Sequence, residues 1–260
     1  QNQLPAYADA EVSPTLAKLT KNPDYRLFDI LYNSLPDTHK QILTTQYRMI
    51  ENIGNLISKV FYRGIIDTGC NDDEKRHGLS RYVGKSIVWF DISANKKKSQ
   101  KRTKGGSYIN EEEKRIILEI LDDLKSTGEL KGLDIGIITG YSGQKELLRK
   151  SIKATGLDKI ASKIDINTLD AFQGRENDII IYSTVRTRDS IGFQKEKERV
   201  NVAFSRAKKL LIVCGDKNFF YNFDDQDNKF VEIIDYISEG EECEIIQCDG
   251  GKLFERESNS

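Results

Sequence analysis

Two arginines seven positions apart are the residues of this sequence best suited to bind a phosphate group. Arg199 and Arg206 lie in the segment Arg-Val-Asn-Val-Ala-Phe-Ser-Arg-Ala, within a predicted helix. Seven residues make about two helical turns, so both side chains are expected on one face. Val202 and Ala203 on that face are small and apolar, and a guanidinium there is suited to bidentate phosphate binding. A pair of structural salt bridges explains the segment equally well when it is read alone.

The composition favours a folded domain and gives no overall charge signal for a nucleic-acid partner. The chain has 260 residues, of which 38% are hydrophobic, and a net charge of −1. It can hold one large domain or two small ones, and any basic footprint must be local. Residues 96–104 contain six basic side chains in nine and are interpreted as a flexible basic loop.

The cysteine and hydropathy patterns argue against a metal site and a membrane partner, and they favour a reducing compartment. Four cysteines and two histidines have no zinc-ligand spacing, so no metal site is expected. Free thiols in a reducing, cytoplasmic compartment are the better interpretation. No apolar run approaches the length of a membrane span, so no membrane partner is expected.

Short apolar strands alternate with helices along most of the chain. Strands are predicted at 86–92, 134–139, 164–169, 178–184 and 210–214, with a small edge strand at 244–246. Helices are predicted at 14–21, 27–35, 50–62, 110–124, 142–154, 195–207 and 232–237, with a loop at 67–84 and a disordered tail from Glu255. Asn110 is expected to cap its helix. The alternation predicts an α/β fold, a parallel sheet covered by helices on both faces.

Gly84-Lys85-Ser86 has the appearance of a phosphate-binding P-loop but lacks its context. Five residues separate Gly84 from Gly78, where a P-loop has four, and the segment leads into a strand rather than a helix. No helix N-terminus would face a phosphate there. The sequence therefore contains no P-loop of its own.

Two polar segments follow predicted strands where a parallel sheet gathers its ligands. They are Thr139-Gly140-Tyr141-Ser142-Gly143-Gln144 and Thr168-Leu169-Asp170-Ala171-Phe172-Gln173-Gly174-Arg175-Glu176. Either segment alone is an ordinary strand-to-helix turn. No Gly-x-Gly-x-x-Gly follows a strand, which argues against a Rossmann-type dinucleotide enzyme.

Five segments in order resemble the second RecA-like domain of superfamily 1 helicases. The similarity is to the branch that includes the nonsense-mediated-decay RNA helicase and its DNA-acting relatives. The matching segments are Gln1 to Pro5 (the end of motif III), Gln46-Tyr47-Arg48-Met49, Thr139 to Gln144 (with Gly140 in place of proline), Asp170 to Glu176 (motif V) and Arg199 to Ala207 (motif VI). The resemblance implies a RecA-like, P-loop NTPase fold without its own Walker A loop.

The resemblance also implies roles at a nucleotide. Arg48 and Arg206 would be arginine fingers that stabilise charge on the γ-phosphate of ATP, and Gln3 would sense that phosphate. Tyr47 would stack on the base or sugar, Glu176 would bind the ribose hydroxyls, and Gln173 and Gly174 would lie near the phosphates. Arg199 is either a third phosphate contact or the partner of an acid, and the second role is favoured.

Single-stranded nucleic acid, DNA or RNA, would cross the top of the sheet. Thr139, Tyr141, Gln144 and Thr168 are the expected backbone contacts, since hydroxyls and helix N-termini suit sequence-independent binding. The basic loop would add affinity through counterion release.

The resemblance implies an organisation in which half of the motor is absent. Residues 1–45 would form an inter-domain junction, 46–217 the second RecA-like domain, and 218–260 a C-terminal helix, an edge strand and a tail. ATP with Mg²⁺ would bind a first domain that carries the Walker A loop and the Mg²⁺ ligands. The chain is therefore expected to have no ATPase activity alone. The alternative is a non-motor nucleic-acid-binding module with a degenerate helicase fold.

Overall fold

A six-stranded parallel sheet forms the centre of the chain. A computed structural model describes residues 34–254, except 42, 131, 162 and 173. The main strands are β3 (Ile87–Asp91), β6 (Asp134–Thr139), β7 (Lys163–Thr168), β8 (Asn177–Ser183), β9 (Ala207–Gly215) and β10 (Cys243–Gln247). Their order across the sheet is β10-β3-β9-β8-β6-β7, and each neighbouring pair is parallel. The predicted fold class is confirmed.

Helices cover both faces of this sheet. They are α1 (Glu51–Tyr62), α2 (Asp72–Lys75), α3 (Glu111–Thr127), α4 (Ser142–Ala154), α5 (Lys197–Phe204), α6 (Lys217–Tyr221) and α7 (Phe230–Glu239). Side chains of α1, α5 and α7 pack with one face of the sheet. Those of α3 and α4 pack with the other. Successive residues of β3 alternate between these two cores, because neighbouring side chains of a strand point to opposite faces.

The local signals at helix ends act as expected. Asn110 Oδ1 accepts hydrogen bonds from the backbone N–H groups of Glu112 and Glu113, both at 3.1 Å, and so caps α3. Gly128 ends the same helix with φ of 68°, a left-handed conformation that costs glycine little.

Two small pairs of strands lie outside the main sheet. One is the parallel pair β1 (Thr45–Gln46) and β2 (Asp67–Thr68). The other is the antiparallel pair β4 (Lys101–Arg102) and β5 (Tyr108–Ile109). The interpretation of residues 96–104 as wholly a flexible loop was therefore wrong, since Lys101 and Arg102 are paired in a hairpin.

The predicted helix 195–207 is shorter than expected. A 3₁₀ turn occupies Gly192–Lys195, α5 ends at Phe204, and β9 begins at Ala207. Ser205 closes the helix, and Ala207 pairs with Asn177 of β8. Arg206 therefore lies in the turn after α5, and the prediction of two arginines on one helical face is wrong.

The C-terminal part of the described chain belongs to the same sheet. β10 pairs with β3 over five residues, and α7 packs into the core shared with α1 and α5. The helix and edge strand predicted after residue 217 therefore pack with the main sheet, and the division of the chain at residue 217 stays a prediction. The helix predicted at 14–21, residues 27–33 of the helix predicted at 27–35, and the tail from Glu255 lie outside the described residues.

Candidate nucleotide and nucleic-acid sites

Arg48 is positioned by the side chain that precedes it by two residues. Gln46 Oε1 accepts from the backbone N–H groups of Arg48 (2.9 Å) and Met49 (2.8 Å). Gln46 Nε2 donates to Thr68 Oγ1 at 2.7 Å and to the Met49 carbonyl at 3.0 Å. Gln46 therefore fixes the turn that presents Arg48, a role that sequence reasoning did not assign although Gln46 lies within the motif.

Arg48, Glu176 and Arg206 converge from three separate segments. Arg48 Nε donates to Glu176 Oε2 at 2.5 Å, and its Nη1 donates to the Ser205 carbonyl at 3.3 Å. Glu176 and Arg206 directly precede β8 and β9, and the backbone N–H of Asn177 donates to the Arg206 carbonyl at 3.1 Å. We call these three residues the arginine cluster. It lies at the amino edge of the sheet, whereas strand-end reasoning had placed the ligand beyond the carboxyl edge.

The Arg206 guanidinium finds hydrogen-bond acceptors for only some of its N–H groups among the described residues. Its Nε donates to the Val202 carbonyl at 2.9 Å and its Nη1 to the Arg175 carbonyl at 3.4 Å. Within the described part of the chain, no acceptor meets its other N–H groups. Burial lowers the pKa of Arg206, and the positive charge of Arg48 lowers it further, while Glu176 opposes both. Two guanidinium groups and one carboxylate leave a net positive cluster with free donors, which suits an anion.

Arg199 lies at the opposite end of α5 from Arg206. Its Nη1 donates to both carboxylate oxygens of Asp170, at 3.0 and 3.1 Å, and its Nε donates to Glu196 at 2.8 Å. Its guanidinium also lies 5.2 Å from the centre of the Phe193 ring. The structure therefore does not bring Arg199 into the arginine cluster, and it gives this residue the carboxylate partners of the structural alternative.

The other predicted nucleotide contacts are only partly described. Tyr47 is 68% exposed beside Arg48, so its ring is open to a ligand. Gly174 has φ of 82° in an exposed turn just before Glu176. Gln3 and Gln173 lie outside the described residues, and their roles stay predictions.

The predicted nucleic-acid contacts gather at the carboxyl edge of the sheet. Thr139 and Thr168 are paired as the last residues of β6 and β7. Thr139 is fully buried and Tyr141 is almost fully buried, whereas Thr168 is partly exposed. Thr168 is therefore accessible to single-stranded nucleic acid, whereas the side chains of Thr139 and Tyr141 are covered by protein.

The Gln144 side chain connects three elements at this edge through buried hydrogen bonds. Its Oε1 accepts from the Asn110 N–H at 2.9 Å, and its Nε2 donates to Ser183 Oγ at 3.0 Å and to the Asn110 carbonyl at 3.2 Å. The side chain is fully buried. Gln144 therefore joins α4 to α3 and β8 from inside, and it does not face a ligand in this conformation.

Glu113 is a buried acid at the same edge whose importance the sequence did not show. It accepts hydrogen bonds from Ser183 Oγ (2.6 Å), Thr184 Oγ1 (3.1 Å) and the Val185 N–H (2.8 Å). Val185 has φ of 70°, a strained value for a β-branched residue. Burial raises the pKa of Glu113 to about 8, against the opposing effect of these hydrogen bonds. Glu113 lies in the first turn of α3, where an acidic side chain is favourable whether it is exposed or buried, so its position in the sequence does not show its burial.

Comparison with known proteins decides the family. The model of a family described as "AAA domain" matches residues 24–218, three quarters of the chain. The chain belongs to the superfamily 1 helicases, as a C-terminal RecA-like domain. This helicase domain is 37% identical to helicase Sen1 of Saccharomyces cerevisiae over 185 residues, 67% of the chain and 8% of Sen1. It is also 30% identical to an uncharacterized ATP-dependent helicase of Methanocaldococcus jannaschii over 244 residues, 89% of the chain and 34% of that protein.

A third relative belongs to the branch that the motifs resemble. The domain is 32% identical to the regulator of nonsense transcripts 1 homolog of Neurospora crassa over 181 residues, 67% of the chain and 16% of that protein. The helicase domain thus spans only 8 to 34% of the length of these three relatives. Within the described part of the chain, no helix has the length and apolar character needed to cross a membrane.

Proposed function

We propose that this domain is the C-terminal motor half of an ATP-dependent nucleic-acid helicase. Arg48 and Arg206 would act as arginine fingers on ATP bound at a first RecA-like domain. The observation that carries this proposal is the arginine cluster. Like charges placed together in a folded protein are unfavourable, and Glu176 offsets only one of the two guanidinium groups. A γ-phosphate would supply the missing negative charge.

The donor chemistry of the cluster fits a nucleotide. Guanidinium groups match phosphate oxygens with parallel hydrogen bonds. The Glu176 carboxylate is a good acceptor for ribose hydroxyls, and the exposed Tyr47 ring offers a stacking surface. Mg²⁺ would be held by acids of the first domain, so the role of this chain is to bring positive charge to the phosphate where negative charge develops.

The two edges of the sheet would have different functions, with nucleotide binding at one edge and nucleic-acid binding at the other. The arginine cluster lies at the amino edge of β8 and β9, and the proposed single-strand track lies at the carboxyl edge of β6, β7 and β8. α5 runs between them, with Arg199 towards the track and Arg206 in the cluster. A movement of α5 would therefore displace residues at both sites.

The four cysteines are free thiols, which supports a reducing, cytoplasmic compartment.

The proposal predicts that the isolated chain does not hydrolyse ATP, because the phosphate cradle belongs to the first domain. Phosphate release by the purified 260-residue chain should stay at the background level of buffer, with and without single-stranded nucleic acid. Substantial turnover that is abolished by Arg206→Ala would show that the chain contains a complete active site, and would overturn the proposed division of the motor.

A further inference from the structure

Phe193 is an exposed aromatic side chain at the carboxyl edge of the sheet, and no motif accounts for it. It is 47% exposed, although a phenylalanine is normally buried. It lies in the 3₁₀ turn Gly192–Lys195, on the loop between β8 and α5. Gly140 lies across from it, since a Cβ added at Gly140 would be 3.7 Å from the Phe193 Cβ. Phe193 therefore borders the segment that the proposed function assigns to the single-strand track.

The Phe193 ring is held in place by its neighbours. The Tyr141 ring centre lies 5.5 Å from the Phe193 ring centre, at an interplanar angle of 50°. Gly192 has φ of 62°, and a Cβ there would lie 2.1 Å from Tyr141 Oη, so the turn requires glycine. Gln194 Nε2 donates to the buried Thr184 carbonyl at 2.6 Å and anchors the other side. A ring that is already ordered loses little conformational entropy on binding.

Phe193 is the exposed end of a row of aromatic rings. Tyr141 contacts Tyr108 edge to face, with ring centres 5.7 Å apart. The Arg186 guanidinium lies 4.2 Å from the centre of the Tyr108 ring. We call Phe193, Tyr141 and Tyr108 the aromatic row. Arg199 at the Phe193 end is paired with Asp170 and Glu196, so it adds little net positive charge there.

Basic side chains flank the other end of this row. Tyr108 is paired with Arg102 across the hairpin, and Lys101 and Arg102 are both exposed. The hairpin also contacts the track segment, because Ser107 Oγ accepts from the backbone N–H of Gly143 at 3.0 Å. An ordered aromatic surface beside exposed cations is the arrangement that binds single strands without sequence preference. The cations meet phosphates while bases stack on the rings.

We propose that Phe193 stacks against a base of the bound single strand, with the phosphates of neighbouring nucleotides near Lys101 and Arg102. This inference rests on the proposed nucleic-acid function of the domain and adds a specific stacking residue to it. Stacking on a phenyl ring is independent of sequence, because every base presents a π-face.

Binding of a labelled strand by the full 260-residue chain tests the proposal. Fluorescence anisotropy with single strands of about 12 nucleotides, DNA and RNA, suits the site size of such grooves. Phe193→Ala is expected to weaken binding by roughly 5- to 100-fold. Phe193→Leu should weaken it similarly, because leucine keeps apolar bulk but has no ring, whereas Phe193→Tyr should bind like wild type. Val83→Ala is the control, because Val83 is 75% exposed near the amino end of β3.

Photo-cross-linking of a strand that carries 5-iodouracil gives a second, direct readout. A cross-link at Phe193, found by peptide mass spectrometry and lost in Phe193→Leu, would support stacking. Wild-type affinity in both Phe193→Ala and Phe193→Leu would overturn the stacking role while leaving the nucleic-acid function intact. If wild type binds neither DNA nor RNA at low salt, the nucleic-acid function itself fails, and the stacking role fails with it.

Discussion

Arg48 Nε lies 2.5 Å from Glu176 Oε2, although the two residues are 128 positions apart in the sequence. The pair joins the segment before α1 to the start of β8, beside Arg206. The Arg48 side chain is 38% exposed and that of Glu176 is 45% exposed, so the ion pair contributes at most about 1 kcal/mol. Under the proposed function, a bound phosphate would therefore displace the carboxylate from Arg48 at little cost, and Glu176 would become available to a ribose.

Replacing Arg48 by alanine should disable ATP turnover in the complete gene product. Loss of an arginine finger is expected to lower kcat by roughly 10³-fold, because transition-state charge on the phosphate is no longer neutralised. The measurement is steady-state phosphate release with saturating single strand. Arg76→Ala is the matched control, since Arg76 is an exposed arginine whose ion pair is with its near neighbour Asp73. Equal turnover in wild type and Arg48→Ala would remove Arg48 from the site.

Glu176→Ala should erase discrimination between ATP and 2′-deoxy-ATP. If Glu176 accepts from the ribose hydroxyls, wild type should show a KM for deoxy-ATP about tenfold higher, the order expected for one charged hydrogen bond. The variant should show similar, raised KM values for both nucleotides. Should Glu176→Ala keep the wild-type preference, the carboxylate serves only to hold Arg48.

Arg199→Ala should affect binding at the carboxyl edge more than ATP chemistry. Its carboxylate partners are exposed, so the loss in free energy of unfolding should be about 1 kcal/mol or less, as measured by urea denaturation. ATP turnover at a saturating concentration of single-stranded nucleic acid should stay within about fivefold of wild type, in contrast to the effect expected for an arginine finger. A fall of kcat comparable to that of Arg48→Ala would return Arg199 to the nucleotide site.

The elements that the sequence predicted well are those whose signal is local. β6 was predicted at 134–139 and α4 at 142–154, and both have those bounds, because a strict apolar run and an amphipathic period are properties of the segment itself. The hairpin of β4 and β5 was missed, because pairing of Lys101 with Ile109 depends on contacts that composition does not show. The end of α5 was misplaced for a similar reason. Pairing of Ala207 with Asn177 takes the chain into β9 before the helical pattern ends.

The candidate site was predicted as a set of residues but not as a geometry. The motifs contain Arg48, Glu176 and Arg206, and the structure places these three residues close together; their roles at a nucleotide stay predictions. Their position at the amino edge of the sheet follows from where β8 and β9 begin, which is a property of the topology. Glu113 and Phe193 were missed because nothing in their sequence surroundings shows that the first is buried and the second exposed.

The buried Glu113 should make stability fall as pH rises. Burial raises its pKa from 4.5 to about 8, so between these values the folded state holds a proton that the unfolded state has lost. The stabilising contribution is complete below pH 4.5 and is lost as pH rises towards 8. Relative to wild type, Glu113→Gln should flatten this dependence by on the order of 2 to 4 kcal/mol.

Urea denaturation of wild type and Glu113→Gln at pH 5, 6.5 and 8 checks this prediction. The difference between the two proteins isolates Glu113, because every other ionisable side chain is present in both. Parallel curves at all three values would show that Glu113 is ionised throughout, stabilised by the donors on Ser183, Thr184 and Val185.

ATP turnover of the Arg206→Ala variant of the complete gene product is the decisive test of the proposed arginine-finger role. Arg206 donates to two carbonyl groups at the amino edge, and its other N–H groups meet no acceptor among the described residues. A fall in kcat of roughly 10³-fold or more is expected, with retained binding of single-stranded nucleic acid, because the proposed track lies at the opposite edge of the sheet. Near-normal turnover in Arg206→Ala would rule out the arginine-finger role.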